Sequence, residues 1–181
     1  MFAREFDVVI AGAGPAGSLA AFILSRAGKS VALLDRAIFP RAKVCGDCLN
    51  PNCWSIWKRY GLADRFSQLP HQAIAGFSLE LKGSPVFRKA FPLAERSVQR
   101  ATLDAWLCAE AQEQGAIFFP GTTVIAADCS GLVTTSEGTR LSYRDSITKV
   151  TGPSFVSETA ICAWNTPVST RTPLSRAFPT K

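Results

Sequence analysis

Gly12, Gly14 and Gly17 stand in the run Gly12-Ala13-Gly14-Pro15-Ala16-Gly17, and a carboxylate, Asp35, follows 18 residues beyond the last of them. Glycines at this spacing let backbone meet an anionic ligand. Gly12 permits a tight turn, Gly14 removes the Cβ that would block a diphosphate, and Gly17 lets a helix pack closely on a sheet. Pro15 suits the first helical turn, where its missing N–H costs nothing. The free amides of that turn and the positive end of the helix dipole then face the phosphates. Asp35 can accept hydrogen bonds from ribose hydroxyls, and its charge repels a 2′-phosphate, so FAD or NAD is favoured over NADP. The dinucleotide contacts expected here are Gly12, Ala13, Gly14, Pro15, Ala16, Gly17, Asp35 and the adjacent Arg36.

These residues work only if a strand precedes the glycines and a helix follows them. Asp7-Val8-Val9-Ile10-Ala11 reads as a central parallel strand buried on both faces. Leu19, Ala20, Phe22, Ile23, Leu24 and Ala27 recur at helical spacing up to Gly28, which suits a left-handed helix end. Ser30 to Asp35 then reads as a second buried strand, completing a βαβ unit. Further along, Pro51 to Tyr60 predicts a short helix stopped by Gly61. Ile74 to Leu81 with Pro85 to Phe91 predicts one hairpin, and Leu132 to Thr135 with Thr139 to Tyr143 a second.

The segment after the second strand, Phe39-Pro40-Arg41-Ala42-Lys43-Val44-Cys45-Gly46, resembles that of FAD-dependent oxidoreductases of the geranylgeranyl reductase, flavin halogenase and aromatic hydroxylase superfamily. The run Arg100-Ala101-Thr102-Leu103-Asp104-Ala105-Trp106-Leu107 is similar to the arginine-led helix of that family, and Gly121 to Ala127 to its adenine-side strand. The resemblance implies a Rossmann-like, glutathione-reductase-like α/β domain, incomplete and carrying β-hairpin insertions. It places Arg41, Cys45 and Gly46 along the flavin, Arg100 near the diphosphate and ribityl chain, and the backbone of Val124 near adenine. FAD is the implied cofactor, with NAD(P)H as an electron donor and a flavin reductase or monooxygenase reaction by hydride transfer through flavin N5. The substrate is unnamed. No side chain is assigned as a catalytic acid or base; Cys45 and Asp47, near the expected ring, are the first to test.

Cys45, Cys48 and Cys53 fall within nine residues and admit rival readings. Cys48 and Cys53 resemble the redox pair of pyridine-nucleotide disulfide reductases, although Pro51 between them departs from that pattern. With His71, the only histidine, the three cysteines would complete a zinc ligand count, but no second C-x-x-C accompanies them. Unpaired thiols packed as small hydrophobes are the plain alternative. A non-catalytic dinucleotide-binding remnant is a third functional class.

From Asp145 the pattern changes: 16 of the last 37 residues are Ser, Thr or Pro. The family's Gly-x-Asp-Gly turn and later Gly-Asp element do not occur. Residues 1–144 are therefore expected to form the FAD-binding domain. Residues 145–181 are expected to be a disordered tail, or sequence that leaves the family through truncation or a shifted reading frame.

Composition excludes other classes. Twenty basic against 14 acidic residues give a net charge of +6, yet the basic residues are scattered, so nucleic acid is not implied. With 47% hydrophobic residues the chain is not of disordered composition, and it carries no apolar run of membrane-spanning length. Six unevenly spaced cysteines do not read as a secreted disulfide framework. Glu5 interrupts what a secretion signal would need as an apolar core, so a cytoplasmic location is expected. The sequence leaves open whether a partner chain contributes.

Overall fold

The computed structural model describes residues 4–45, 48–128 and 131–149. The glycine run sits where the βαβ reading requires. Strand β1 (Arg4–Ala11) leads through the glycines into helix α1 (Pro15–Arg26), which returns to strand β2 (Val31–Leu34), parallel to β1 with Val8 matched to Val31. Val9, Ile10, Ala32, Leu33 and Leu34 are essentially inaccessible, as expected of strands covered on both faces. The turn at the end of α1 uses Gly28 at φ 83°, a left-handed conformation with no penalty for a residue lacking Cβ.

Beyond β2 the chain adds a two-residue strand β3 (Cys48–Leu49), helices α2 (Cys53–Tyr60) and α3 (Ala63–Ser67), and the hairpin β4 (Gln72–Leu81) and β5 (Ser84–Ser97). Helix α4 (Arg100–Glu113), strand β6 (Ile117–Phe119) and the strands β7 (Val124–Ala127), β8 (Leu132–Thr135) and β9 (Arg140–Lys149) follow. The main sheet has the order β6-β2-β1-β9-β8-β7. Its β6, β2, β1 and β9 run parallel, and β8 pairs antiparallel with both β9 and β7.

Two apolar clusters sandwich the sheet. On one face Val8, Ile10, Val31 and Leu33 pack with Ala21 and Phe22 of α1 and Leu103, Leu107 and Ala111 of α4. On the other lie Phe6, Val9, Ala32, Leu34, Val133 and Leu141. Phe6 and Val9 could not share a face in an unbroken strand of period two; a register irregularity between Phe6 and Val8 reverses the alternation and aims Phe6 at Phe119. An aromatic group of Trp54, Trp57, Phe66 and Trp106 ties α2, α3 and α4 together. This explains α3, which no periodicity announces: Phe66, fully buried, is its anchor.

Some elements depart from the sequence reading. Both strands of the first hairpin are longer than expected and turn through Lys82 at φ 50° and Gly83 at φ 81°, a primed turn matched to strand twist. The sheet does not end at residue 144, where composition set the domain boundary. Strand β9 runs to Lys149, with Ser146 to Lys149 matched to Val8 to Ala11. Backbone pairing with a buried parallel neighbour holds that stretch in the sheet without any apolar periodicity of its own. The rest of the expected tail, residues 150–181, lies outside the described residues. Among the described residues no helix is long and apolar enough to cross a membrane.

Candidate functional site

The glycine turn is built so that α1 presents an uncapped start. Gly12 adopts φ 110°, and its N–H donates to the Leu34 carbonyl at 2.6 Å, seating the turn on the end of β2. Gly14 is the N-cap, Pro15 opens the helix, no side chain caps it, and the first turn carries no acidic residue. Such a helix start offers unpartnered amides and the positive end of the helix dipole. Ser18, which is buried, closes the loop from behind: its hydroxyl donates to the Ala13 carbonyl at 3.1 Å and its N–H to the Gly14 carbonyl at 2.9 Å.

Asp35 caps β2 and reaches back to the same turn. Its Oδ2 accepts the Ala13 N–H and its Oδ1 the Ala37 N–H, each at 2.9 Å, so the carboxylate is fixed in orientation beside the glycines. The segment after β6 braces it: the Asp35 N–H donates to the Phe119 carbonyl at 3.2 Å, and the Thr122 N–H donates to the Asp35 carbonyl at 2.8 Å.

Two arginines arrive from different parts of the chain. Arg100, first residue of α4, makes a two-pronged hydrogen bond to Asp104, Nε to Oδ1 at 2.8 Å and Nη2 to Oδ2 at 2.9 Å. Asp104 is fully buried, and its hydrogen bond is the main reason Arg100 holds its proton even more firmly than an ordinary arginine. Arg41, from the segment after β2, places Nη2 3.2 Å from Asp104 Oδ2 and 3.5 Å from Asp35 Oδ2, with its guanidinium over the Phe39 ring at 4.9 Å. The Nη2 atoms of both arginines lie 3.8 Å from the position a Cβ on Gly14 would take. A side chain there would fill the space between helix start and guanidiniums. The donors around it, amides and two fixed cations, are those that suit phosphate oxygens. The residues present therefore fit the diphosphate of FAD.

The structure thus gathers Gly12, Ala13, Gly14, Pro15, Ala16, Gly17, Asp35, Arg41 and Arg100 around one point. Cys45 is exposed and hydrogen-bonds Arg100, so it stands at the edge of the same group. Arg36 is exposed and points no described contact into the site, and Val124 is half-buried in β7, paired with Thr135. Gly46 and Asp47 lie outside the described residues. The sequence reading missed Asp104. Its signal was present, since an acid four residues after an arginine shares a helix face with it, but Asp104 lies on the buried side among Leu103, Leu107 and Ala111.

The disulfide-reductase alternative is not favoured. Cys48 and Cys53 are free thiols. Cys48 sits in β3 and donates to Glu95, which pushes its pKa up; burial pushes Cys53 up. Both shifts disfavour the thiolate that disulfide exchange needs. Nor do three or more His, Cys, Asp or Glu side chains among the described residues gather as a metal site; His71 Nδ1 instead shares a hydrogen bond with the Leu69 carbonyl at 2.8 Å.

Comparison with known proteins places the chain among FAD-binding proteins. Menaquinone reductase of Mycolicibacterium smegmatis is 38% identical over 132 residues, which cover 70% of this chain and 32% of that protein. Menaquinone reductase of Mycobacterium tuberculosis is 35% identical over 152 residues, covering 78% of this chain and 36% of that one. Among solved structures, 2-methyl-3-hydroxypyridine-5-carboxylic acid oxygenase superposes with a TM-score of 0.67 at 26% identity, over 81% of this chain and 39% of that one. The halogenase PltM superposes with a TM-score of 0.70 at 20% identity, over 81% and 34%, a likeness of fold alone. The chain spans about a third of the length of the curated relatives it matches. A family profile described as FAD binding domain matches residues 5–137, and the chain belongs to that family.

Proposed function

We propose that this chain forms the dinucleotide-holding part of an FAD-dependent oxidoreductase that works as a quinone-directed reductase. The observation that carries the reading is the convergence of the Arg41 and Arg100 guanidiniums on the open side of Gly14, at the start of α1. The amides of the first turn and the two guanidiniums bind the diphosphate, Asp35 accepts from the adenosine ribose, and Ser18 with Gly17 keeps the turn closed behind them. When bound, FAD supplies two-electron redox chemistry at its ring, and the chain's residues anchor and orient it. A reductase is favoured over a monooxygenase because the relatives at 35–38% identity over 132 to 152 residues are named menaquinone reductases, whereas the oxygenase resemblances are at 26% and, over only 87 residues, 31%.

The test is to load the purified chain with FAD, add NADH or NADPH without oxygen, and follow the flavin absorbance. Bleaching, then recovery on adding a soluble naphthoquinone faster than on admitting oxygen, supports the reductase reading. Recovery by oxygen alone would favour a monooxygenase.

A further inference from the structure

Asp104 contributes nothing to the charge a diphosphate wants. It is negative and fully buried, yet it holds both arginines, through the same Nη2 atoms that lie nearest Gly14: Arg100 by two hydrogen bonds at 2.8 and 2.9 Å, and Arg41 at 3.2 Å. Two guanidiniums aimed at one point repel each other, and each is long enough to swing to solvent. A carboxylate fixed on a helix and touching both is a means of keeping them together before any ligand arrives. Arg41 Nη2 also lies 3.5 Å from Asp35 Oδ2, so without Asp104 its nearest remaining carboxylate would be Asp35, on the ribose side.

We infer that Asp104 is a positioning residue that sets the Arg41–Arg100 pair at the phosphate-facing mouth of the glycine turn and keeps Arg41 from collapsing onto Asp35. The inference rests on the FAD reading of the site. It has a consequence opposite in sign to simple electrostatics. Asp104→Asn removes a negative charge near an anionic ligand, which by Coulomb attraction alone should tighten binding. If Asp104 positions the arginines, the same change weakens it, and only for ligands that carry the diphosphate.

The experiment measures FAD binding to the full chain by quenching of flavin fluorescence, with ADP and adenosine as competitors, for the parent and for Asp104→Asn. The expected result is at least a tenfold loss of affinity for FAD and ADP, with adenosine within about twofold of the parent. Unchanged or tighter ADP binding overturns the inference, and so does an equal loss for ADP and adenosine, which would mark a merely structural residue. If Asp104→Asn does not fold, Asp104→Glu keeps the charge and displaces the carboxylate. It is expected to lower the ADP-to-adenosine preference by threefold or more, and a parental preference overturns the inference. A parent chain that binds neither FAD nor ADP removes the diphosphate site itself. That failure is distinct from one in which the parent binds and the variant is unaffected.

Discussion

A Cβ placed on Gly17 would lie 1.9 Å from the carbonyl oxygen of Gly12. The turn and the first helical turn are therefore in backbone contact, and no side-chain adjustment can relieve an added methyl. Gly14, two residues from Gly12, is the opposite case: its missing Cβ would meet only guanidinium ends at 3.8 Å. Gly17 is needed by the fold, whereas the proposed function assigns Gly14 to the ligand.

Gly17→Ala is accordingly expected to destabilise the chain by about 3 kcal/mol, since backbone must shift to admit it. Gly14→Ala should leave stability within about 1 kcal/mol of the parent, because φ at Gly14 is −72° and the contact is ordinary, yet weaken FAD binding. Urea denaturation of both variants alongside a flavin titration separates the two effects.

Removing either arginine should cost affinity through lost charge-assisted hydrogen bonds. Arg100→Met and Arg41→Met are each expected to weaken FAD by roughly tenfold to a hundredfold, matching about 1.5 to 3 kcal/mol for hydrogen bonds to charged groups. Titrations at rising salt should show a shallower salt dependence in both variants than in the parent.

Glu110 and Arg65 give a stability prediction away from the site. Glu110 is 1% exposed, Arg65 Nη1 stands 2.7 Å from its Oε2, and burial raises its pKa despite that ion pair. A carboxyl whose folded pKa is raised contributes stability that is present below the unfolded value of about 4.3 and lost as pH rises through the folded value. Glu110→Gln should therefore gain stability over the parent at neutral pH, the gap closing toward pH 4. Arg65→Met should lower stability at pH 7 by stranding the buried Glu110 charge, and adding Glu110→Gln should restore much of the loss. Denaturant midpoints across pH 4 to 7 read all three.

The cysteines should differ in reactivity. Burial pushes Cys108 up to about 11, so at pH 8 it should remain unalkylated by iodoacetamide in the folded chain. Glu95→Gln removes the hydrogen-bond acceptor that raises Cys48, and is expected to speed alkylation of Cys48 at the same pH. Peptide mass mapping over time distinguishes the sites.

What the sequence made legible follows from how local each signal is. The strand, Gly12 to Gly17, the helix and Asp35 occupy one contiguous stretch, and each obeys a short-range rule of turn, cap or period, so the βαβ unit and the place of Asp35 at the end of its second strand could be read directly. Arg41 and Arg100 could be placed only by resemblance, since they stand 59 positions apart and only the tertiary fold, which sets the segment after β2 against Asp104 of α4, brings them together. Asp104 escaped because a buried acid on an apolar helix face has no meaning until its partner is known. Strand β9 was cut short for a similar reason: Ser146 to Lys149 owe their strand conformation to β1, a neighbour more than 130 residues earlier in the chain.

The most direct test of the account is the affinity of the purified chain for FAD before and after Gly14→Val, with folding verified by circular dichroism. The parent should bind FAD saturably and release it to ADP, and the valine variant should be folded but unable to hold either. Equal binding of FAD by a folded Gly14→Val chain would contradict a diphosphate seated between Gly14, Arg41 and Arg100.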